Sequence, residues 1–206
     1  MIAIIDYGVG NLFSLKSSFA RIGAETVVTD DPAVITAQDR IILPGVGAFG
    51  DAIKKLRDRG LDKVILNEVK NGKKLMGICL GMQMLFERSF EYGEHEGLGL
   101  ISGEVVSMKG RIDEALMIPH IGWNALDIKG IHPVFKYIKD GDFVYFVHSY
   151  FAEGCDESLL ATTDYSREIT AAVARENVCG MQFHPEKSGE VGLSILRAFN
   201  EWSVTK

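Results

Sequence analysis

Over its first eighty residues the chain alternates short apolar runs with segments of helical periodicity, and that rhythm leaves few folds open. IAIID is a strand, after which Leu12, Leu15, Phe19 and Ile22 recur at helical spacing as far as Gly23. TVVTD and RIILPG are further strands, the second apolar enough to be buried. Phe49, Ala52, Ile53 and Leu56 mark one helix, and Leu61, Val64, Ile65 and Val69 another after Gly60; KLMGICL is then the fourth strand. Strands alternating with helices join as right-handed βαβ units, which predicts an α/β fold: an open, twisted, largely parallel sheet flanked by helices. Ligands on such sheets bind outside the carboxyl ends of the strands.

From about Gly99 the rhythm changes. EVVSMK, ALMI, WNALDIK, DFVYFVHSY, SLLATTDY, TAAVARE and VCGMQFHP read as strands separated by turn signals, so the C-terminal half is expected to be more antiparallel, a mixed extension of the sheet. The chain closes with an amphipathic helix in which Val191, Ile195, Ala198, Phe199 and Trp202 share a face. No repeat or low-complexity linker interrupts the 206 residues, which predicts a single domain over 1–206.

Composition bears on partners. The formal net charge is −6, with both signs spread along the chain and no basic tract to neutralise phosphates, which argues against nucleic acid or an anionic membrane as partner. No apolar stretch approaches the roughly 20 residues that cross a bilayer. The N-terminus MIAIIDYGVGNL lacks a basic region and reads as a strand rather than a signal peptide, so a cytoplasmic location is expected. The three cysteines, Cys79, Cys155 and Cys179, are widely spaced with no C-x-x-C, which suggests free thiols rather than a disulfide framework or zinc site.

One of those thiols has a special setting. Gly77-Ile78-Cys79-Leu80-Gly81 has the G-x-nucleophile-x-G shape of a strand-to-helix elbow, followed by a segment, MQMLFER, that reads as a helix. At a helix N-terminus the macrodipole favours thiolate over thiol. The alternative is a buried, inert cysteine between two packing glycines. A second motif, MQFHPE, ends the apolar strand VCGMQF: Pro185 cannot donate to a ladder, which puts His184 at a strand end, and Glu186 two positions on can orient its imidazole. The alternative there is a satisfied histidine beside a solvated glutamate, yet elbow and His-x-Glu together favour a triad. Gly45-Val46-Gly47, after the strand RIIL, can turn backbone N–H groups toward an oxyanion or be a plain tight turn. Gly8-Val9-Gly10 has Phe13 where a dinucleotide fingerprint needs its third glycine, so no dinucleotide site is expected. His95, His120, His132 and His148 show no metal-ligand spacing, and neither metal nor cofactor is expected; His120 and His148 read as core or hydrogen-bonding residues.

GICLGMQMLF together with MQFHPEKS resembles the class I (triad) glutamine amidotransferases. The stretches IDYGVGNLFSLKSSF, LPGVGAF, PHIGWN and FVHSY narrow the resemblance to those that serve histidine biosynthesis as the glutaminase subunit of a two-subunit synthase. The match runs in order from the first strand to the last helix. It implies Cys79 as nucleophile, His184 as general base and acid, and Glu186 as its orienting group. It further implies an oxyanion hole from the amide of Leu80 and one from Gly45, Val46 or Gly47. L-glutamine would be held by Gln83, Glu91 and the backbone around Ser149, Tyr150 and Phe151. The implied partner is a cyclase subunit with a (β/α)8 barrel in a heterodimer, with Asn11, Trp123, Asn124 and Lys187 at the docking face. The alternatives are another class I glutaminase, for anthranilate, GMP or pyridoxal phosphate synthesis, or a cysteine hydrolase or redox thiol protein on a similar sheet.

Overall fold

Strand β1 (Ile2–Ile5) is buried along its whole length, and its two faces serve two separate cores. Ala3 and Ile5 join one cluster and Ile2 and Ile4 the other, as the two-residue period of a strand requires. The same division recurs along β3 (Arg40–Leu43), where Ile41 and Leu43 face the first core and Ile42 the second. Helices α3 (Phe49–Asp58) and α4 (Leu61–Lys70) close the first core with Phe49, Leu56, Leu61 and Ile65. Helix α1 (Leu12–Arg21) and the C-terminal α6 (Gly189–Glu201) close the second with Leu15, Phe19, Ile195 and Phe199. The computed structural model describes residues 1–203; the last three residues of the expected domain, 204–206, lie outside the described residues.

The remaining elements follow in chain order. β2 (Thr26–Thr29) and the short α2 (Pro32–Thr36) precede β3, and β4 (Lys74–Ile78) runs into α5 (Leu80–Gln83). Then come β5 (Arg88–Ser89), β6 (His95–Glu96), β7 (Glu104–Ser107), β8 (His120–Ala125), β9 (Asp127–Ile128), β10 (Phe143–His148) and β11 (Tyr150–Glu153). β12 (Leu159–Asp164), β13 (Glu168–Arg175) and β14 (Val178–Met181) complete the set. The main sheet has eight strands in the order β2-β1-β3-β4-β14-β13-β12-β9. β2, β1, β3, β4 and β14 are parallel neighbours, and β13, β12 and β9 extend the sheet antiparallel. The last parallel strand therefore inserts beside β4, and Met181 pairs with Ile78. That insertion brings the ends of two strands, a hundred residues apart in the chain, side by side.

Three expectations from sequence are corrected here. Part of the C-terminal half does not extend the main sheet: β11, β7, β5 and β6 form a separate four-stranded sheet, and β10 pairs with β8 alone. The inward residues Val144 and Phe146 of β10 lie against the second core with Phe183, so this pair packs on a face of the sheet rather than lengthening its edge. ALMI forms no strand. The helix read in MQMLFER stops at Gln83, because Met84, Leu85 and Phe86 are buried and their carbonyls accept from Leu98, Leu100, Ile101 and Gly99 of a crossing segment instead of continuing a helical ladder. Among the described residues no helix is long and apolar enough to cross a membrane.

Candidate active site

Cys79 joins β4 to α5 with φ +54° and ψ −113°, a positive-φ conformation that costs an L-residue energy unless its surroundings impose it. The surroundings do. Cys79 N–H donates to Met181 O at 2.7 Å, and Gln83 N–H returns to Cys79 O at 3.1 Å, closing the first helical turn. The flanking glycines are required by space: a Cβ on Gly77 would stand 2.6 Å from Gly81 O, and one on Gly81 would stand 1.8 Å from Leu43 O. The elbow is thus clamped between β3 and its own strand, and the thiol projects into a cavity. Cys155 and Cys179 do not line that cavity; like Cys79 both are buried, and burial pushes both thiols up and away from ionisation.

His184 follows β14, three residues past the partner of Ile78. Its backbone N–H donates to Tyr145 O at 2.9 Å, and Ser188 Oγ donates to its carbonyl at 2.7 Å, so β10 and the turn after it hold the residue in place. Nδ1 lies 2.8 Å from Glu186 Oε1, and the Glu186 side chain is 1% exposed. Burial disfavours the charged ring, but hydrogen bonds to Cys79 and Glu186 outweigh it and raise the imidazole to about 10. At neutral pH the ring is therefore protonated beside the sulfur. A thiol next to an imidazolium oriented by a buried carboxylate has the layout of an acyl-transfer nucleophile.

The cavity measures about 320 Å³ and is lined by Val46, Gly47, Cys79, Leu80, Gln83, Glu91, Pro119, Val147, His148, Ser149, Tyr150 and His184. Nine of the site residues expected from sequence line that cavity. Cys79, His184, Leu80, Val46, Gly47, Gln83, Glu91, Ser149 and Tyr150 line it, whereas Phe151 does not: its ring packs with Val106, Met108 and Ile169. Gly45 sits behind the lining, where a Cβ would meet Gly81 N at 2.8 Å and Leu80 Cβ at 2.9 Å. Gly47, at φ +93°, supplies the turn that a side-chain-bearing residue would resist. Glu91 Oε2 accepts the N–H of Phe49 at 2.6 Å, capping α3, and burial raises its carboxyl. A larger groove of about 710 Å³ adjoins the cavity across Glu91 but contains neither Cys79 nor His184.

Some contributors were not foreseen as site residues. Tyr7 is fully buried and donates through its hydroxyl to Pro44 O at 2.7 Å, pinning the start of the Gly45–Gly47 loop; burial, aided by Cys79, pushes the phenol up so that it stays a donor. Gln182 is also fully buried, with Nε2 at 3.8 Å from Cys79 Sγ. The signal for it was a polar residue closing an apolar run, two positions before His184. His148 and His120 are buried and hydrogen-bonded, as expected: His148 Nδ1 donates to Tyr150 O at 2.8 Å, and the two rings meet at 3.2 Å. Burial lowers both, His148 to about 3.

The four residues expected at a docking face divide. Trp123, about half exposed, and Lys187 converge on the Tyr145 ring, with centroids 6.0 Å apart for the tryptophan and Nζ 5.8 Å from the ring centre for the lysine. Asn11 stands at the head of α1 without a side-chain capping bond. The Asn124 amide is engaged internally, meeting His120 Nε2 at 2.9 Å and donating to Asp164 O at 3.0 Å.

With this geometry in place, the chain can be set beside known proteins. The model of the glutamine amidotransferase class-I family matches residues 3–201. The imidazole glycerol phosphate synthase subunit HisH of Sulfurimonas denitrificans is 49% identical over 208 residues, covering 100% of both chains. The protein of the same description from Syntrophotalea carbinolica is 48% identical over 205 residues, 98% of this chain and 100% of its own. Among solved structures, a crystal structure of a glutamine amidotransferase is similar with a TM-score of 0.76 at 19% identity, covering 98% of each chain. PurLQS from Thermotoga maritima is similar with a TM-score of 0.72 at 19% identity, covering 97% of each. At such identities the structural likeness speaks for the fold.

Proposed function

Because the chain belongs to the class-I glutamine amidotransferase family, we propose that it is the glutaminase subunit of an imidazole glycerol phosphate synthase, hydrolysing L-glutamine to glutamate and ammonia for a cyclase subunit. The observation that carries this reading is the meeting of Cys79 with the His184–Glu186 pair at the ends of adjacent parallel strands, inside a cavity that the Gly45–Gly47 loop borders. Full-length similarity to the HisH subunits supports the pathway. A cysteine that served only as a redox sensor would leave the buried His–Glu pair without a task.

In this reading the Cys79 sulfur attacks the side-chain amide carbon of glutamine, and the carbonyl electron pair moves onto oxygen. The amide of Leu80 is at the first position of α5, where an N–H has no intrahelical acceptor, and is available to that oxyanion. A second donor comes from the Val46–Gly47 segment. His184 hands its proton to the leaving nitrogen, ammonia departs, and a γ-glutamyl thioester remains. Water, deprotonated by the now neutral His184, attacks the thioester and releases glutamate, restoring the sulfur and the protonated ring. Gln83, Glu91, Ser149 and Tyr150 surround the space left for the amino-acid end of the substrate. One domain carries all these groups.

Ammonia released into water at neutral pH becomes ammonium, which is not a nucleophile, so the product is best delivered directly to the enzyme that consumes it. We take that enzyme to be a cyclase with a (β/α)8 barrel, docking over Trp123 and Lys187, which meet at the Tyr145 ring, and over the head of α1. The test is glutamine turnover by the chain alone, with the cyclase, and with the cyclase plus its ribonucleotide substrate. Formation of a complex and a rise in turnover on adding substrate are expected; failure of the cyclase to bind or stimulate removes the pathway assignment.

The loop offers a finer test. Tyr7→Phe keeps the ring packing but deletes the bond to Pro44 O. Losing one oxyanion donor costs about 2.7–4 kcal/mol of barrier, so a loosened loop is expected to lower kcat by about 10-fold or more with KM for glutamine little changed. Steady-state kinetics of the variant in the complex check this, and an unchanged kcat shows that the bond does not hold the loop.

A further inference from the structure

Gln182 is entirely enclosed, and a buried amide with unmet donors and acceptors is costly, so each of its contacts calls for an account. Those contacts form a directional chain. The Tyr150 carbonyl can only accept, so the end of Gln83 that faces it at 3.0 Å must be the amide nitrogen. The same nitrogen points a hydrogen at Gln182 from 2.9 Å, which makes the facing atom Oε1. The NH2 group of Gln182 is thereby turned toward Cys79 Sγ, at 3.8 Å. Rotating the Gln182 amide would oppose two donors at one end and set a carbonyl oxygen against the sulfur at the other. The Tyr150 carbonyl is itself held by a second donor, His148 Nδ1 at 2.8 Å, so the anchor of the chain is fixed from two sides.

We infer that Gln182 is a donor to the reacting sulfur: its Nε2–H stabilises the Cys79 thiolate, and Gln83 together with the Tyr150 carbonyl hold that donor in the one orientation that can do so. The surroundings of the sulfur give this donor its weight. Sγ also lies 3.9 Å from Val147 O, an acceptor that welcomes the thiol hydrogen and disfavours the anion once it has gone. Among the described residues the Gln182 amide is, apart from the His184 ring, the side-chain donor directed at the sulfur. Because its chain begins at Tyr150 O, in the segment that borders the glutamine cavity, the orientation of the donor is tied to the position of the substrate cradle.

The inference rests on Cys79 being the nucleophile, and its test reads the sulfur without glutamine. In the full-length chain, the pH–rate profile of Cys79 alkylation by iodoacetamide is followed by peptide mass. Gln182→Met keeps length and bulk but removes the donor. It is expected to move the midpoint up by about one pH unit, a tenfold change in ionisation, as befits one weak charge-assisted hydrogen bond. Gln182→Glu keeps an oxygen for Gln83 while setting another against the sulfur, and is expected to move it further. A purely structural role would change stability and leave both profiles at the wild-type midpoint, which would overturn the proposal. A second measurement does not depend on the variants folding. In the wild-type protein the Gln182 side-chain amide resonances should shift with the thiol titration and cease to do so in Cys79→Ala; resonances that stay still across the titration would overturn it as well. Glutamine turnover is a separate readout, so loss of this inference leaves the glutaminase reading standing.

Discussion

Cys79→Ala is expected to lower glutamine-dependent synthesis by the complex by about 10⁴-fold or more, while synthesis from added ammonium salt continues at the wild-type rate. The size follows from the role: removing the nucleophile of a triad leaves only what binding and the oxyanion donors supply. The persistence of ammonia-dependent synthesis follows from topology, because the substitution lies inside the cavity around Cys79 and removes a single sulfur atom. Folding should be little affected. Alanine inherits the same positive φ at this elbow, and the clamp that imposes it is made by backbone hydrogen bonds and by Gly77 and Gly81. The comparison is made with one preparation assayed with glutamine and with ammonium salt. Glutamine turnover within tenfold of wild type would show that the sulfur is not the nucleophile.

Glu186→Gln is the second large effect and separates orientation from attack. The carboxylate is buried, and one oxygen receives Nδ1 of His184, while Oε2 has no partner among the described residues. An amide in its place can present N–H to the ring, favouring the wrong tautomer, and it removes the charge that helps to hold the imidazole protonated. A loss in kcat of about 10²- to 10⁴-fold is expected, by comparison with loss of the carboxylate in serine triads. The pH dependence supplies the specific signature. In the wild type the folded-state value for His184 is raised to about 10, against about 6.5 in an unfolded chain. The folded state therefore holds a proton that the unfolded chain has released between those values. This contribution to stability is complete below about pH 6.5 and is lost as the pH rises through about 10. Glu186→Gln should lower the His184 titration, read by imidazole NMR, and flatten the fall in unfolding free energy over that alkaline window. A His184 titration unmoved by the substitution would show that the carboxylate does not support the charged ring.

Much of the parallel half was legible because its periodicity is local. Ile2–Ile5, 41–43 and 75–78 are continuous apolar runs, and the stripes of α3 and α6 repeat at helical spacing, so most of their burial could be read from the pattern. The second half was less legible. DFVYFVHSY has a strand's alternation, but alternation does not say whether a strand joins the edge of a sheet or lies across its face. That choice depended on Val144 and Phe146 meeting Phe183 and the second core. MQMLFER misled for a related reason: its apolar residues suit a helix, yet the carbonyls of Met84–Phe86 are taken by a segment fifteen residues downstream. The contacts of the Asn124 amide with His120 and Asp164 likewise depend on β8 and β12 coming together.

The sequence by itself determined the chemistry available: a cysteine between glycines at a strand-to-helix turn, a histidine and a glutamate around a strand-ending proline, and a glycine loop after an apolar strand. These are local features, set by backbone conformations that only certain residues tolerate. Only the tertiary structure decided that they form one site. The last parallel strand inserts beside β4, so that Ile78 and Met181 pair and the residues just beyond them face the same cavity. It also decided which neighbours tune that site. Tyr7 reaches Pro44 across the sheet, and Gln182 takes its orientation from Gln83 and the Tyr150 carbonyl. Hydrogen bonds of that kind join residues far apart in the chain, and direction along such a network exists only after the chain has folded.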